Sequence, residues 1–164
     1  MAVFVLDKRK QALMPCSEKR ARLLLSRRLA VVHRTYPLTI RLKQRVGGDV
    51  QAVQLKLDPG SKTTGVALVV LLKDRIKTLN LFHLQHRGQA IKDSLEARSA
   101  MRRRRRNQLW YRPARFDNRV KPDGWLPPSL QHRVDTTVSL VNKLSRLTPV
   151  DEIVVEQVKF DMQL

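Results

Sequence analysis

The stretch LDPGSKTTGVALVV, residues 57–70, decides how this chain is read. It sets one aspartate, Asp58, between an apolar run and a Pro-Gly turn, and a second apolar run follows at once. Upstream, VQAVQLKLD (50–58) alternates: Val53, Leu55 and Leu57 share one strand face, while Asp58 falls on the other with Gln54 and Lys56. Downstream, VALVVLL (66–72) reads as an apolar strand. RIKTLNLFHLQH (75–86) reads as a further one, joined to it by a turn at Lys73-Asp74. Residues 50–86 are therefore expected to form a three-stranded antiparallel meander.

A second carboxylate occupies a similar place far along the chain. Ser129 is expected to cap a helix over LQHRVDTTVSLVNKLSRLTP (130–149), with Leu130, Val134, Val138, Val141 and Leu144 as its buried stripe. A short strand, IVVEQ (153–157), follows and carries Glu156 at the end of its apolar run. A helix between two strands permits a crossover, so the strands bearing Asp58 and Glu156 can lie parallel and adjacent, about 4.8 Å apart. Two carboxylates in contact repel unless a cation sits between them, and an oxygen-only donor set selects Mg²⁺ or Mn²⁺. The plainer reading stays open: an Asp after a strand is often a turn residue, and a Glu at a strand end is often solvated.

Composition narrows the class of partner. The 164 residues suggest one domain or one domain with small appendages, and 33 Lys+Arg against 14 Asp+Glu give a net charge of +19. With 42% apolar residues the chain is not a disordered basic tail, so a polyanion, nucleic acid above all, is the expected partner. Aromatics make up only 5%, which favours phosphate contacts over base stacking. The single cysteine, Cys16, excludes an internal disulfide and a thiolate zinc site. His83 and His86 are three apart on a strand, where they would point to opposite faces, so a plain surface or strand role is favoured over metal ligation. No apolar run reaches the roughly 20 residues of a membrane span, and the start, MAVFVLDKRK, reverses the order of a signal peptide. A cytoplasmic protein with no membrane partner is expected.

Near the start, AVFVLD (2–7) reads as a strand and QALMPC (11–16) as a turn ended by Pro15. Ser17 can cap a helix over SEKRARLLLSRRLAVVHR (17–34), in which Leu23, Leu24, Arg27, Arg28 and Val31 are spaced for one apolar stripe and one basic face. YPLTIRLKQRV (36–46) alternates Leu38, Ile40 and Leu42 against Thr39, Arg41 and Lys43, as a half-buried strand does. Gly47-Gly48-Asp49 is a turn.

Residues 88–112, GQAIKDSLEARSAMRRRRRNQLWYR, differ from the rest. Nothing breaks a helix from Gln89 to Arg112, yet it holds five consecutive arginines, Arg102, Arg103, Arg104, Arg105 and Arg106. At 100° per residue they point all around the axis, so that turn cannot be buried in an apolar core. A solvated charge run and a helix surrounded by phosphates both fit; the net charge and the planar arginine fork favour phosphates. RPARFDNRVKPDGWLPPS (112–129) is a connector, expected to be pinned to the core by Trp110, Tyr111, Phe116 and Trp125 rather than to stack on nucleotides.

Several of these segments together resemble one family. LDPGSKTTGVAL is similar to the first motif of RuvC-type nucleases of RNase H fold. In the form DPGSKTTG it resembles the IscB family of transposon-encoded, RNA-guided DNA endonucleases. The first 25 residues resemble that family's small N-terminal domain, named for a Pro-Leu-Met-Pro motif that here reads Ala12-Leu13-Met14-Pro15. ARSAMRRRRRNQLWYRPARFDNR resembles its arginine-rich bridge helix, and EIVVEQVKFDMQL its second RuvC motif, with the glutamate at Glu156.

The resemblance implies an α/β chain: a partial RuvC-like RNase H fold (a three-stranded meander plus a parallel strand), an arginine-rich bridge helix and a small N-terminal α+β domain. The segments would be a PLMP-type domain at 1–48, the first RuvC segment at 49–87, the bridge helix and following stretch at 88–118, and a connector, helix and second RuvC segment at 119–164. It implies that Asp58 and Glu156 hold magnesium and cut the DNA strand not paired to the guide. Lys19, Arg20, Arg27, Arg28, Arg98, the run from Arg102 to Arg106, Arg112 and Arg115 would meet guide RNA, or its heteroduplex with target DNA, through the backbone. Family members continue into an HNH module and a third RuvC segment, which this sequence lacks after Glu156, so these residues alone are expected not to cleave DNA. Two other classes remain in view: a non-catalytic guide-RNA-binding module, and a structural RNA-binding protein of the ribosomal kind.

Overall fold

The computed structural model describes residues 1–72, 74–108 and 120–157. They form a mixed α/β structure of two four-stranded mixed sheets and three helices. The first sheet comes from β1 (Val3–Leu6), β2 (Ala12–Cys16), β3 (Ala30–Arg34) and β4 (Thr39–Leu42), in the order β2-β1-β4-β3, with α1 (Glu18–Ser26) between β2 and β3. The second comes from β5 (Val53–Pro59), β6 (Thr63–Leu71), β7 (Ile76–Gln85) and β8 (Val150–Val155), in the order β7-β6-β5-β8. The helices α2 (Gly88–Asn107) and α3 (Pro128–Ser145) lie between β7 and β8 in the chain.

In the first sheet three expectations are corrected. Residues 12–16 are a strand, not a turn: Leu13 pairs with Val5 and is buried, and Pro15 is tolerated because β2 is an edge strand with no ladder to complete on its outer side. The first helix stops at Ser26. Ser17 caps it as expected, its hydroxyl accepting from Arg20 N at 3.3 Å. At the other end Arg28 adopts φ 57°, its N–H reaching Leu25 O while Leu29 N–H reaches Leu24 O, a left-handed helix stop. Arg27 and Arg28 therefore close the helix instead of extending a basic face, and Val31 and Val32 pair with Arg41 and Ile40 in a strand that suits β-branched side chains. Thr39, expected on a polar face, is fully buried because β4 lies inside the sheet between β1 and β3. The strand itself is only Thr39–Leu42.

The meander is observed: β5 pairs antiparallel with β6, and β6 with β7. Lys73 lies outside the described residues. Val53, Leu55 and Leu57 are buried, and with Val66, Leu68 and Val70 they form the inner face of the second sheet. Leu144 and Leu147 cover that face, and Phe4 from β1 joins the same cluster, while Val3, Val5, Leu13, Ala30 and Ile40 of the first sheet form a second core with Ala21 of α1. The amide of Asn80 fastens β7 to the chain start, accepting from Ala2 N at 2.9 Å and donating to Ala2 O at 3.1 Å.

α3 begins at Pro128, one residue before Ser129, so Pro127 and not the expected Ser129 stands at the cap position, and Pro128 opens the first turn, where a missing N–H costs nothing. Its expected stripe is buried only at one end. Leu144 is buried and Val141 half-buried, but Leu130, Val134 and Val138 are exposed, because the face that α3 turns inward there is that of Arg133, Thr136, Thr137 and Leu140, all half-buried. α2 ends at Asn107, and Trp110, Tyr111, Arg112, Arg115 and Phe116 lie outside the described residues.

Candidate functional site

β8 runs parallel to β5, with Leu55 beside Ile153, Lys56 beside Val154 and Leu57 beside Val155. One step further along that register come Asp58 and Glu156. Glu156 N–H donates to Leu57 O at 2.9 Å, which carries the ladder to the acid itself. The buried alternation of β5 sends Asp58 to the outer face, where it is exposed; Glu156 is exposed too, just past the end of β8. Both acids line one cavity of about 490 Å³.

The floor of that cavity is set by residues with little side chain. Across the sheet Asp58 pairs with Gly65, and Gly65 with His83. A Cβ at Gly65 would lie 3.5 Å from Asp58 Cβ and 3.6 Å from Oδ2, so the carboxylate leans over the glycine. The next row is Lys56, Ala67 and Leu81. Gly65 and His83 belong to this site although neither was expected there. The signal for both was the alternation of the meander, which fixes their face once the pairing register is known.

Among the described residues the ion pairs are Met1–Glu18, Arg22–Glu18 and Lys92–Glu96, so neither acid of the site has a cationic partner there. Among the same residues no group of three or more His, Cys, Asp and Glu could hold a metal ion. Two adjacent carboxylates still fit a hard divalent cation, because Mg²⁺ takes one or two protein carboxylates and completes its shell with water and substrate phosphate.

The second charged feature is α2. Its single buried residue among those described is Gly88, which sits against the start of α3: a Cβ there would come 3.2 Å from Ser129 O. Arg102 to Arg106 are all exposed, about 21 to 27 Å along the axis from that anchor by helical rise. The cations Arg104, Arg105 and Arg106 lie in the last turn, where they complement the negative end of the helix. Arg98 is also exposed, its Nε donating to Ser94 O at 3.3 Å. Arg102 lines a groove between α2 and the segment before α3 with Trp125, whose ring carries Lys121 Nζ at 4.2 Å from its centroid. Trp125 thus stands beside α2, but it is exposed and belongs to neither core cluster, so the pinning to the core expected of it is not seen. Lys19, Arg20, Arg27 and Arg28 are exposed on and beside α1, apart from both the acid row and α2.

Two polar clamps have no counterpart among the sequence expectations. His86 Nε2 meets Thr64 Oγ1 at 2.7 Å and its Nδ1 meets Thr136 Oγ1 at 3.4 Å, tying α3 to the end of β6. Burial, then the charges of Arg133 and His132, hold its pKa below the usual histidine value. Asp7 is buried and accepts from Gln11 N at 2.8 Å and Gly47 N at 3.1 Å. Burial pushes its carboxyl up, but amide donation from Gln11, Gly47 and Arg9, with the charge of Arg9, outweighs that and leaves it below the usual range. Burial raises the Cys16 thiol despite the charge of Arg20, which keeps it protonated. No helix among the described residues is long and apolar enough to cross a membrane.

The family model of the RRXRR protein matches residues 3–164, and the chain belongs to that family. The arginine pattern spelled by that name occurs here at residues 102–106. No curated protein matches the chain.

Proposed function

We propose that this member of the RRXRR family is the RNA-gripping, acid-bearing portion of an RNA-guided DNA endonuclease of the IscB kind. In this reading Asp58 and Glu156 are two metal-binding acids of a RuvC-type centre that cuts the non-target strand. The observation that carries the reading is the juxtaposition of Asp58 and Glu156 at the carboxyl ends of adjacent parallel strands. The order β7-β6-β5-β8, with β8 alone parallel to its neighbour, supports an RNase H-type sheet.

The two carboxylates would hold Mg²⁺ or Mn²⁺. A divalent ion so held would supply a water activated for attack on a phosphodiester and charge stabilisation of the leaving oxygen. The chain's own part is to fix the two acids by the β5–β8 ladder and to leave the floor at Gly65 open. The exposed arginines of α2 would lie along guide RNA and its heteroduplex with target DNA, so that base pairing supplies sequence choice and the protein holds backbone. By the same resemblance, an HNH module and the third RuvC segment would complete the enzyme.

The test separates the two halves of the reading. Asp58→Ala and Glu156→Ala are expected to abolish Mn²⁺ binding, followed by water proton relaxation, while RNA that co-purifies with the chain stays bound. With a polypeptide supplying the third acid, each variant should lose cutting of one DNA strand only. Replacing Arg102 to Arg106 by glutamine should do the reverse: it should keep Mn²⁺ binding and flatten the log–log salt dependence of RNA affinity by about 0.7 for each single-strand phosphate that is no longer neutralised. If both acid variants kept full function, the chain would be a non-catalytic RNA-binding module. A salt-independent RNA affinity would remove the nucleic-acid reading altogether.

A further inference from the structure

Crossing the sheet from Glu156, the outer face presents Asp58 on β5, no side chain at Gly65 on β6, and the exposed imidazole of His83 on β7. Asp58 and His83 thus stand on opposite banks of a gap two strand spacings wide, roughly 10 Å between backbones, floored by a glycine. Both banks line the one cavity of about 490 Å³.

His83 also lines a second groove, of about 500 Å³, between the β7 edge and the first sheet, where Arg22, Tyr36 and Leu38 face it. It therefore stands between the acid row and a groove on the side of the N-terminal part of the molecule. Among the described residues its ring makes no hydrogen bond, unlike that of His86, which is held between two threonines.

We infer that His83 is a substrate-binding residue of this site. It donates a hydrogen bond to a phosphate oxygen of the polynucleotide strand lying across Gly65, and so directs that strand from the acid pair into the groove beside β7. The inference rests on the metal-site reading of Asp58 and Glu156. His83 is not a metal ligand in it, since its strand is separated from that of Asp58 by the whole width of β6. Gly65 is the complementary element. Alanine fits there at ordinary contact distance from Asp58, whereas a leucine would fill the gap the strand must cross.

The experiment uses the full chain with a single-stranded oligothymidylate, at salt high enough to suppress arginine-borne binding, with and without Mg²⁺. Imidazole NMR signals are followed, that of His83 being identified by its loss in His83→Gln. The His83 signal should move on adding oligonucleotide with Mg²⁺ and stay still with Mg²⁺ alone. His83→Ala, which leaves no donor, should weaken the Mg²⁺-dependent part of oligonucleotide affinity about tenfold, as expected for one hydrogen bond to a charged group, and leave Mn²⁺ affinity without DNA unchanged. Gly65→Ala should fold and bind, and Gly65→Leu should fold but lose Mg²⁺-dependent oligonucleotide binding. If His83→Ala keeps wild-type oligonucleotide affinity while Asp58→Ala loses the Mg²⁺-dependent part, the inference is overturned and the acid site stands. If Asp58→Ala and Glu156→Ala also leave that part intact, both are overturned.

Discussion

Two aspartates end two strands in nearly the same words, VFVLD at residues 3–7 and VQLKLD at residues 53–58, and they do opposite things. Asp7 is 1% exposed and spends its oxygens on the amide groups of Gln11 and Gly47, binding the turn after β1 to the loop after β4. Asp58 is exposed, leans over a glycine and has Glu156 as its neighbour on the adjoining strand. One carboxylate closes the structure and the other is left open at a cavity. The difference is not in the preceding residues. It lies in what the fold lays at each strand end: residues 45–47 over Asp7, and on the β6 side of Asp58 only Gly65.

The largest effect tests what both ends share, a buried strand. Leu55→Ala, in the core that holds β5, should destabilise by about 2–5 kcal/mol in urea unfolding, and Asp58 should lose its place with it. Next come the two aspartates themselves. Asp7→Ala should lower the unfolding midpoint measurably, because two amide donors lose their acceptor. Asp58→Ala should change stability by no more than about 0.5 kcal/mol, as exposed substitutions do, while removing the proposed Mn²⁺ binding. If the two substitutions destabilised equally, the comparison would fail.

The smallest effects are those of pH, and their signs are set. The Asp7 carboxyl is depressed in the folded chain, so the unfolded chain takes up its proton first. Its stabilising contribution is present above the unfolded value near 3.8 and is lost as pH falls through the folded value. Asp7→Asn should remove that part of the acid limb. His86 is likewise depressed, so its contribution is full above about 6.5 and declines as pH falls below it; His86→Gln should flatten stability in that window. A slope of opposite sign in either window would contradict the hydrogen-bonding described here.

How much was legible follows from how local each cause is. The meander, the Ser17 cap and the exposed arginine helix were read from alternation, a capping residue and a run of like charges, all of which act within a few residues. The errors at Pro15, at the end of α1 and along α3 share a different cause. Pro15 is in a strand because β1 lies on its inner side and solvent on the other, and Val31 leaves the helix because β4 offers it a partner. Val134 and Val138 stay exposed because α3 turns the face of Thr136, Thr137 and Leu140 toward the second sheet instead. No pattern within a segment records which neighbour the fold will bring.

From the sequence alone came the excess of positive charge, a helix around whose arginines no core can close, and the face of β5 on which Asp58 must sit, because those depend on residue type and on the twofold period of a strand. Tertiary structure alone decided that Glu156 would stand beside Asp58 and His83 across from it. Register between strands nearly a hundred residues apart is chosen by packing of the shared core, Phe4 to Leu147, and packing is a property of the assembled chain.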